Sequence, residues 1–213
     1  MPTPAVPAHA SPSTHGFNAD LALLLTVGLW FAAALAIGAS YGSLGLAFGV
    51  GVPILVVAVG VYATLRHTLA SRLLLPVAAM AMVALHIQLG RGTLEFHFGV
   101  FVTLAILLVY RDWKPIIAGA AAIAVHHVLF DRLQAAGVGV YCTPQPDFLN
   151  IVMHAGYVIV QSGLEIYVAL FMARSERQGQ ELGTLVAAIE HDGRIALDLR
   201  RHAVATPAAT ALR

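Results

Sequence analysis

Glu95 and His97 stand two residues apart in LEFHFGV, at the head of a run, FVTLAILLVY, that is otherwise apolar. A carboxylate and an imidazole are expensive in hydrocarbon unless something pairs with them, and in a membrane such groups mark function by default. Four more imidazoles lie inside other apolar runs: His86, His126, His127 and His154. A transition-metal ion would remove the cost of all six together, because imidazole nitrogens and a carboxylate are ligands for copper, iron or zinc. Two imidazoles from facing helices could equally hold a haem. The other five of the ten histidines, His9, His15, His67, His191 and His202, fall in tails or connections, where a solvated structural role is expected.

The elements that must position these residues follow from composition. Of 213 residues, 59% are hydrophobic and 11% charged, against about 25% charged in a soluble domain; mean hydropathy is +0.80. This is the composition of an all-α membrane protein in a lipid bilayer. The net charge of +1, with no basic patch, excludes nucleic acid as a partner. Six apolar segments approach the ~20 residues needed to cross a bilayer: Leu21–Ser40, Ser43–Leu65, Leu73–Leu89, Thr93–Tyr110, Pro115–Phe130 and Phe148–Met172. Asp20 is the expected N-cap of the first, Pro115 suits the first turn of the fifth, and Pro53 should kink the second. The spacings Gly38/Gly42 and Gly45/Gly49 fit close helix packing. Residues 1–19, rich in Pro, Ala and Ser and free of Lys and Arg, read as a flexible tail and lack the basic start of a signal peptide.

Lys and Arg in the short connections set the orientation. One side receives Arg66, Arg72, Arg111, Lys114, Arg174 and Arg177, and the other only Arg91 and Arg132. That places both termini in the cytoplasm. His86, Glu95, His97, His126, His127 and His154 then fall at one depth, just below the outer surface, at ~1.5 Å rise per residue. A proton relay would extend across the membrane rather than within one layer, so the common depth favours a metal. Glu95 and His97 are about 200° apart on an ideal helix and can share an ion only if the first turn unwinds. His126 and His127, about 100° apart, can flank two adjacent sites. The six residues therefore suit one ion with orienting partners or two nearby ions. His97, His126, His127 and His154 are the main expected ligands, with His86 and Glu95 as ligands or orienters.

Lower expectations attach to other polar residues. Gln88 and Gln161 read as interhelical hydrogen-bonders, Glu165 as a partner of a nearby group, and Arg111–Lys114, with Trp113, as an interfacial anchor. Cys142, the lone cysteine, lies in the outer connection; a free thiol is expected, with approach to the site or pairing with a second subunit as alternatives. From Ala173 the chain becomes charged, and Leu182, Leu185 and Ile189 recur at helical spacing. This suits a cytoplasmic linker helix over 173–213 continuing out of the sixth span as a short coiled coil, with Gly193 ending it.

The string HIQLGRGTLEFHFGVFVTLAILLVYRDWKPIIAGAAAIAVHHVLF, followed by MHAGYVIV, resembles the membrane-embedded sensory region of bacterial methyl-accepting chemotaxis proteins. Similar regions precede diguanylate cyclases and histidine kinases. The likeness covers roughly residues 20–175, and GQELGTLVAAIEHDGRIALDLRRH resembles the linker into a chemotaxis signalling domain. The resemblance implies a non-enzymatic six-helix transmembrane sensor domain (20–172) in a bacterial inner membrane. It implies a homodimer and a downstream cytoplasmic signalling module beyond this chain. A His-rich di-metal membrane enzyme and a small metal transporter are the alternatives. The unbroken exit helix and the absence of internal repeats favour the sensor.

Overall fold

The computed structural model describes residues 18–191 and 194–195. The expectations for the tail before Asn18, for His202 and for Gly193 as a helix end lie outside them. The described chain is an antiparallel helical bundle. Helices α1 (Ala19–Ser40), α2 (Leu44–Leu65) and α3 (Leu69–Leu89) pack on one another, and α3 also packs against the helices that follow. The fourth segment is composite: a 3-10 turn at Leu94–His97, helix α4 (Phe98–Leu107) and a second 3-10 turn at Leu108–Tyr110. Helices α5 (Trp113–Ala135) and α6 (Phe148–Ile189) complete the bundle.

Five of these helices, all but α4, are long and apolar enough to cross a membrane, where the sequence suggests six spans. The physical reason is at the ends of the fourth segment. Arg91 (φ 54°), Gly92 (φ +76°) and Arg111 (φ 50°) turn the backbone left-handed on either side of it, and the adjoining turns tighten to 3-10 geometry. A 3-10 turn rises ~2.0 Å per residue against ~1.5 Å for an α-helix. Leu94–Tyr110 is therefore roughly 29 Å long, close to the ~30 Å hydrocarbon thickness.

Helix α3 is the core of the bundle: 61% of its apolar window is buried, against 17–28% for the other four long helices. Its Leu75, Met80, Met82, Ile87 and Leu89 pack with Leu23 and Val27 of α1 and Leu104 and Leu107 of the fourth segment. Most large apolar side chains on the other helices face outward, as lipid contact requires. Gly38 is one real point of close approach: a Cβ there would meet Ala47 at 2.9 Å, so α1 and α2 touch through it. Gly45 and Gly49 have open space beside them and do not mediate packing.

Asn18, not Asp20, caps α1, its side chain accepting from Leu21 N–H at 3.1 Å. Asp20 lies inside the first turn, 3% exposed. It accepts from His67 N–H (2.6 Å), Ser71 Oγ (2.9 Å) and Tyr110 Oη (2.9 Å), tying three parts of the chain together at that end of the bundle. Helix α6 runs 42 residues without a break, about 63 Å, or twice the hydrocarbon thickness. It ends at Ile189, and strand β1 (Glu190–His191) pairs antiparallel with β2 (Arg194–Ile195).

Candidate metal centre

His97 closes the first 3-10 turn of the fourth segment. Because that turn has three residues per turn, Glu95 and His97 leave it on different sides. His97 is 3% exposed and points into the bundle; Glu95 is exposed, its carboxylate in no hydrogen bond or ion pair among the described residues. On α5, whose N-cap is Asp112, Ile123 and His127 form the inward face. On α6, His154 lies one turn after Asn150. The three rings converge: His97 and His127 are 5.4 Å apart, His97 and His154 5.6 Å, and His127 and His154 6.5 Å between centroids.

One local device sets all three rings. His97 Nδ1 lies 3.2 Å from the Thr93 carbonyl oxygen, His127 Nδ1 2.8 Å from that of Ile123, and His154 Nδ1 3.0 Å from that of Asn150. Each partner is four residues back on the same segment. A carbonyl oxygen only accepts, so each Nδ1 must carry the hydrogen and each Nε2 the lone pair. A backbone carbonyl on one ring nitrogen is the common arrangement of a histidine that offers its other nitrogen to a metal. His97 Nε2 is buried with no hydrogen-bond partner among the described residues.

The connection between α5 and α6 supplies the fourth group. Gln134 accepts from Cys142 N–H (2.8 Å) and Thr143 N–H (3.3 Å) and donates to the Thr143 carbonyl (2.7 Å). Gln88 on α3 accepts from Tyr141 N–H at 2.8 Å. The buried Asp131 carboxylate accepts from Asp147 N–H at 3.2 Å and from Arg132. These bonds fold the connection inward and bury Cys142 completely; its thiol is free and donates to the His127 carbonyl at 3.7 Å. Ligand atoms of His97, His127 and Cys142 all lie within 4.8 Å of one another, a group that could hold a metal ion. Metal bonds of ~2.0–2.3 Å place tetrahedral ligands about 3.3–3.5 Å apart, so closure by about an ångström would suffice.

The other expected residues are placed differently. His126 is beside the group, 5.4 Å from the His127 ring, but it stacks on Phe130 at 4.1 Å. It lines a separate cavity of about 660 Å³ with Gln88, Met80 and Val140, both its nitrogens unpartnered among the described residues. His86 turns toward α1: its Nε2 donates to the Trp30 carbonyl at 2.7 Å, and its ring stands edge-on to the Trp30 indole at 5.7 Å. Trp30 Nε1 in turn donates to Thr103 on α4 (3.0 Å), so His86 braces α1, α3 and α4. Gln161 hydrogen-bonds within α6 to Glu165 rather than between helices. Cys142 is the residue that sequence reasoning left out of the ligand set. The signal for it was a lone cysteine in a chain with histidines held inside spans. No known family model, curated protein or solved structure matches this chain.

Proposed function

We propose that the chain is a transmembrane sensory input domain whose metal centre is held by His97, His127 and Cys142, with His154 as the adjacent fourth ligand. The observation that supports this reading is the shared orientation of three converging imidazoles, each with Nδ1 on its own backbone, two of them grouped with one buried thiol. Imidazoles with a thiolate suit copper best among the first-row metals, and iron and zinc take the same donors. When bound, the metal supplies a redox- or occupancy-dependent pull on the ligands. His154 then joins that change to α6, which runs on to Ile189. A metal can shift the helix only by its different affinity for two arrangements of the bundle. The resemblance to chemoreceptor sensory regions points to a cytoplasmic signalling module as the receiver, in a homodimer.

Protein purified in lipid nanodiscs tests the centre by metal analysis and absorption spectroscopy. One metal per chain is expected, with a visible thiolate-to-metal band when copper(II) is loaded. Cys142→Ser should remove the band, and His127→Ala should lower metal content at least tenfold, with helicity unchanged by circular dichroism. Wild-type protein that takes up no copper, iron or zinc would end the metal reading. A Soret band in place of these signals would select a haem.

A further inference from the structure

Beside the imidazoles, a cavity of about 430 Å³ runs between α4, α5 and α6. Its wall is almost entirely aliphatic, with His154 at one end and Ser162 two turns further along α6. Ser162 is 6% exposed, and its Oγ has no hydrogen-bond partner among the described residues. Other hydroxyls in the spans close on their own helix: Thr26, Ser40, Thr64 and Thr103 each donate to the carbonyl four residues back at 2.7–2.9 Å. Ser162 does not, so a buried donor and acceptor are left on the cavity wall, an arrangement proteins otherwise avoid. Water is a poor answer, because a buried water needs two to four polar partners. The other polar side chains on this wall, His97, His127 and His154, are grouped together, and His154 is eight residues from Ser162, about 12 Å along the helix. The volume falls within the ~300–1,000 Å³ of small-molecule sites. The wall also includes the exposed Ile117, Val128 and Ile159, so the cavity opens on the side that faces lipid. No Lys or Arg lines it, so the wall offers no fixed positive charge to a carboxylate or phosphate.

We infer that this cavity binds a neutral, lipid-soluble molecule that has an apolar body and one oxygen function, the oxygen held by Ser162. The ligand enters from the bilayer and lies against the aliphatic wall up to the His154 ring, beside the metal group. Its role as the sensed signal rests on the sensory reading above, whereas its binding needs no metal.

Equilibrium dialysis of the full chain in nanodiscs, against empty discs, tests this with 4-pentylphenol and pentylbenzene. Wild-type protein should bind the phenol saturably, one per chain, and about tenfold more tightly than the hydrocarbon, as one neutral hydrogen bond allows. Ser162→Ala should bring the phenol down to the level of the hydrocarbon. Gly163 lines the same cavity and has open space where a Cβ would stand, so Gly163→Leu should fill the cavity without strain and abolish binding of both. Binding no greater than in empty discs, a phenol preference that survives Ser162→Ala, or undiminished binding by Gly163→Leu would overturn the proposal. Repeating the measurement on chelator-treated protein separates the two readings. Phenol binding in a protein that never takes up metal would sink only the metal centre, and metal uptake without phenol binding only the cavity ligand.

Discussion

The single-residue chemistry is decided by what each polar atom is already bonded to. His97, His127 and His154 have each committed Nδ1 to their own backbone, so orientation and tautomer are fixed before any ligand arrives. Cys142 is the contrasting case. Burial, with the Asp131 carboxylate adding to it, pushes its thiol up to about 12, against ~8.5 for an exposed cysteine. The raised value keeps the thiol protonated at neutral pH, and only the thiolate reacts with alkylating reagents. At pH 7.5 the folded, metal-free protein should therefore be alkylated roughly a thousandfold more slowly than the urea-unfolded chain, read as the mass shift with N-ethylmaleimide over time. Equal rates would mean that the α5–α6 connection does not bury Cys142. Histidines were legible in the sequence because an imidazole in an apolar run is conspicuous at any position. Cys142 was not, because its place depends on backbone hydrogen bonds to Gln88 and Gln134, and no local pattern shows that a polar connection folds inward.

Among the elements, hydropathy made five long helices and one shorter apolar segment readable, since each must present apolar side chains almost all round. What it missed is set by tertiary contact. Asn18 outcompetes Asp20 as the cap of α1 because Asp20 has three better partners in His67, Ser71 and Tyr110. The 3-10 ends of the fourth segment depend on left-handed residues whose conformation neighbours impose, and two of those are arginines. Gly92 shows how the turn before α4 serves the candidate metal group. Its φ is +76°, and a Cβ there would meet the Thr143 carbonyl carbon at 2.3 Å and its oxygen at 2.5 Å. The α3–α4 turn and the α5–α6 connection thus touch backbone to backbone, one residue from Cys142. Gly92→Ala combines strain at positive φ with that clash, and should destabilise the bundle by about 1–3 kcal/mol. It should also push Cys142 away from His97 and His127. The expected readouts are a metal content below half that of wild type and faster alkylation of Cys142. Wild-type values for both would show that the connection shifts without consequence for the thiol.

At the scale of the whole molecule, the feature to explain is a helix that belongs to the bundle at one end and leaves it at the other. Helix α6 carries His154 beside the candidate metal group, packs mainly on α5, and continues to Ile189 with no proline between. Where it leaves, Glu176 pairs with Arg111 at 2.6 Å, both side chains 43% exposed. An exposed pair of this kind is worth at most about 1 kcal/mol, too little to govern a switch, so under the proposed function the rigid helix itself must carry the signal. Rotation and displacement pass along an unbroken helix but not through a flexible joint. In a fusion of the full chain to a chemoreceptor signalling domain, two glycines inserted after Ser175 should therefore leave metal content unchanged and abolish metal-dependent control of the output. Each glycine costs ~1 kcal/mol of helix stability, and two residues turn everything beyond them by about 200°. Seven alanines inserted at the same point separate flexibility from phase. They lengthen the helix but return it to within about 20° of its original direction, so control of the output should persist. The measurement is output activity beside metal content in each fusion, with and without metal. Control that survives the glycines would rule out transmission along α6, and control lost with both insertions would mean that distance to the signalling module matters more than the continuity of the helix.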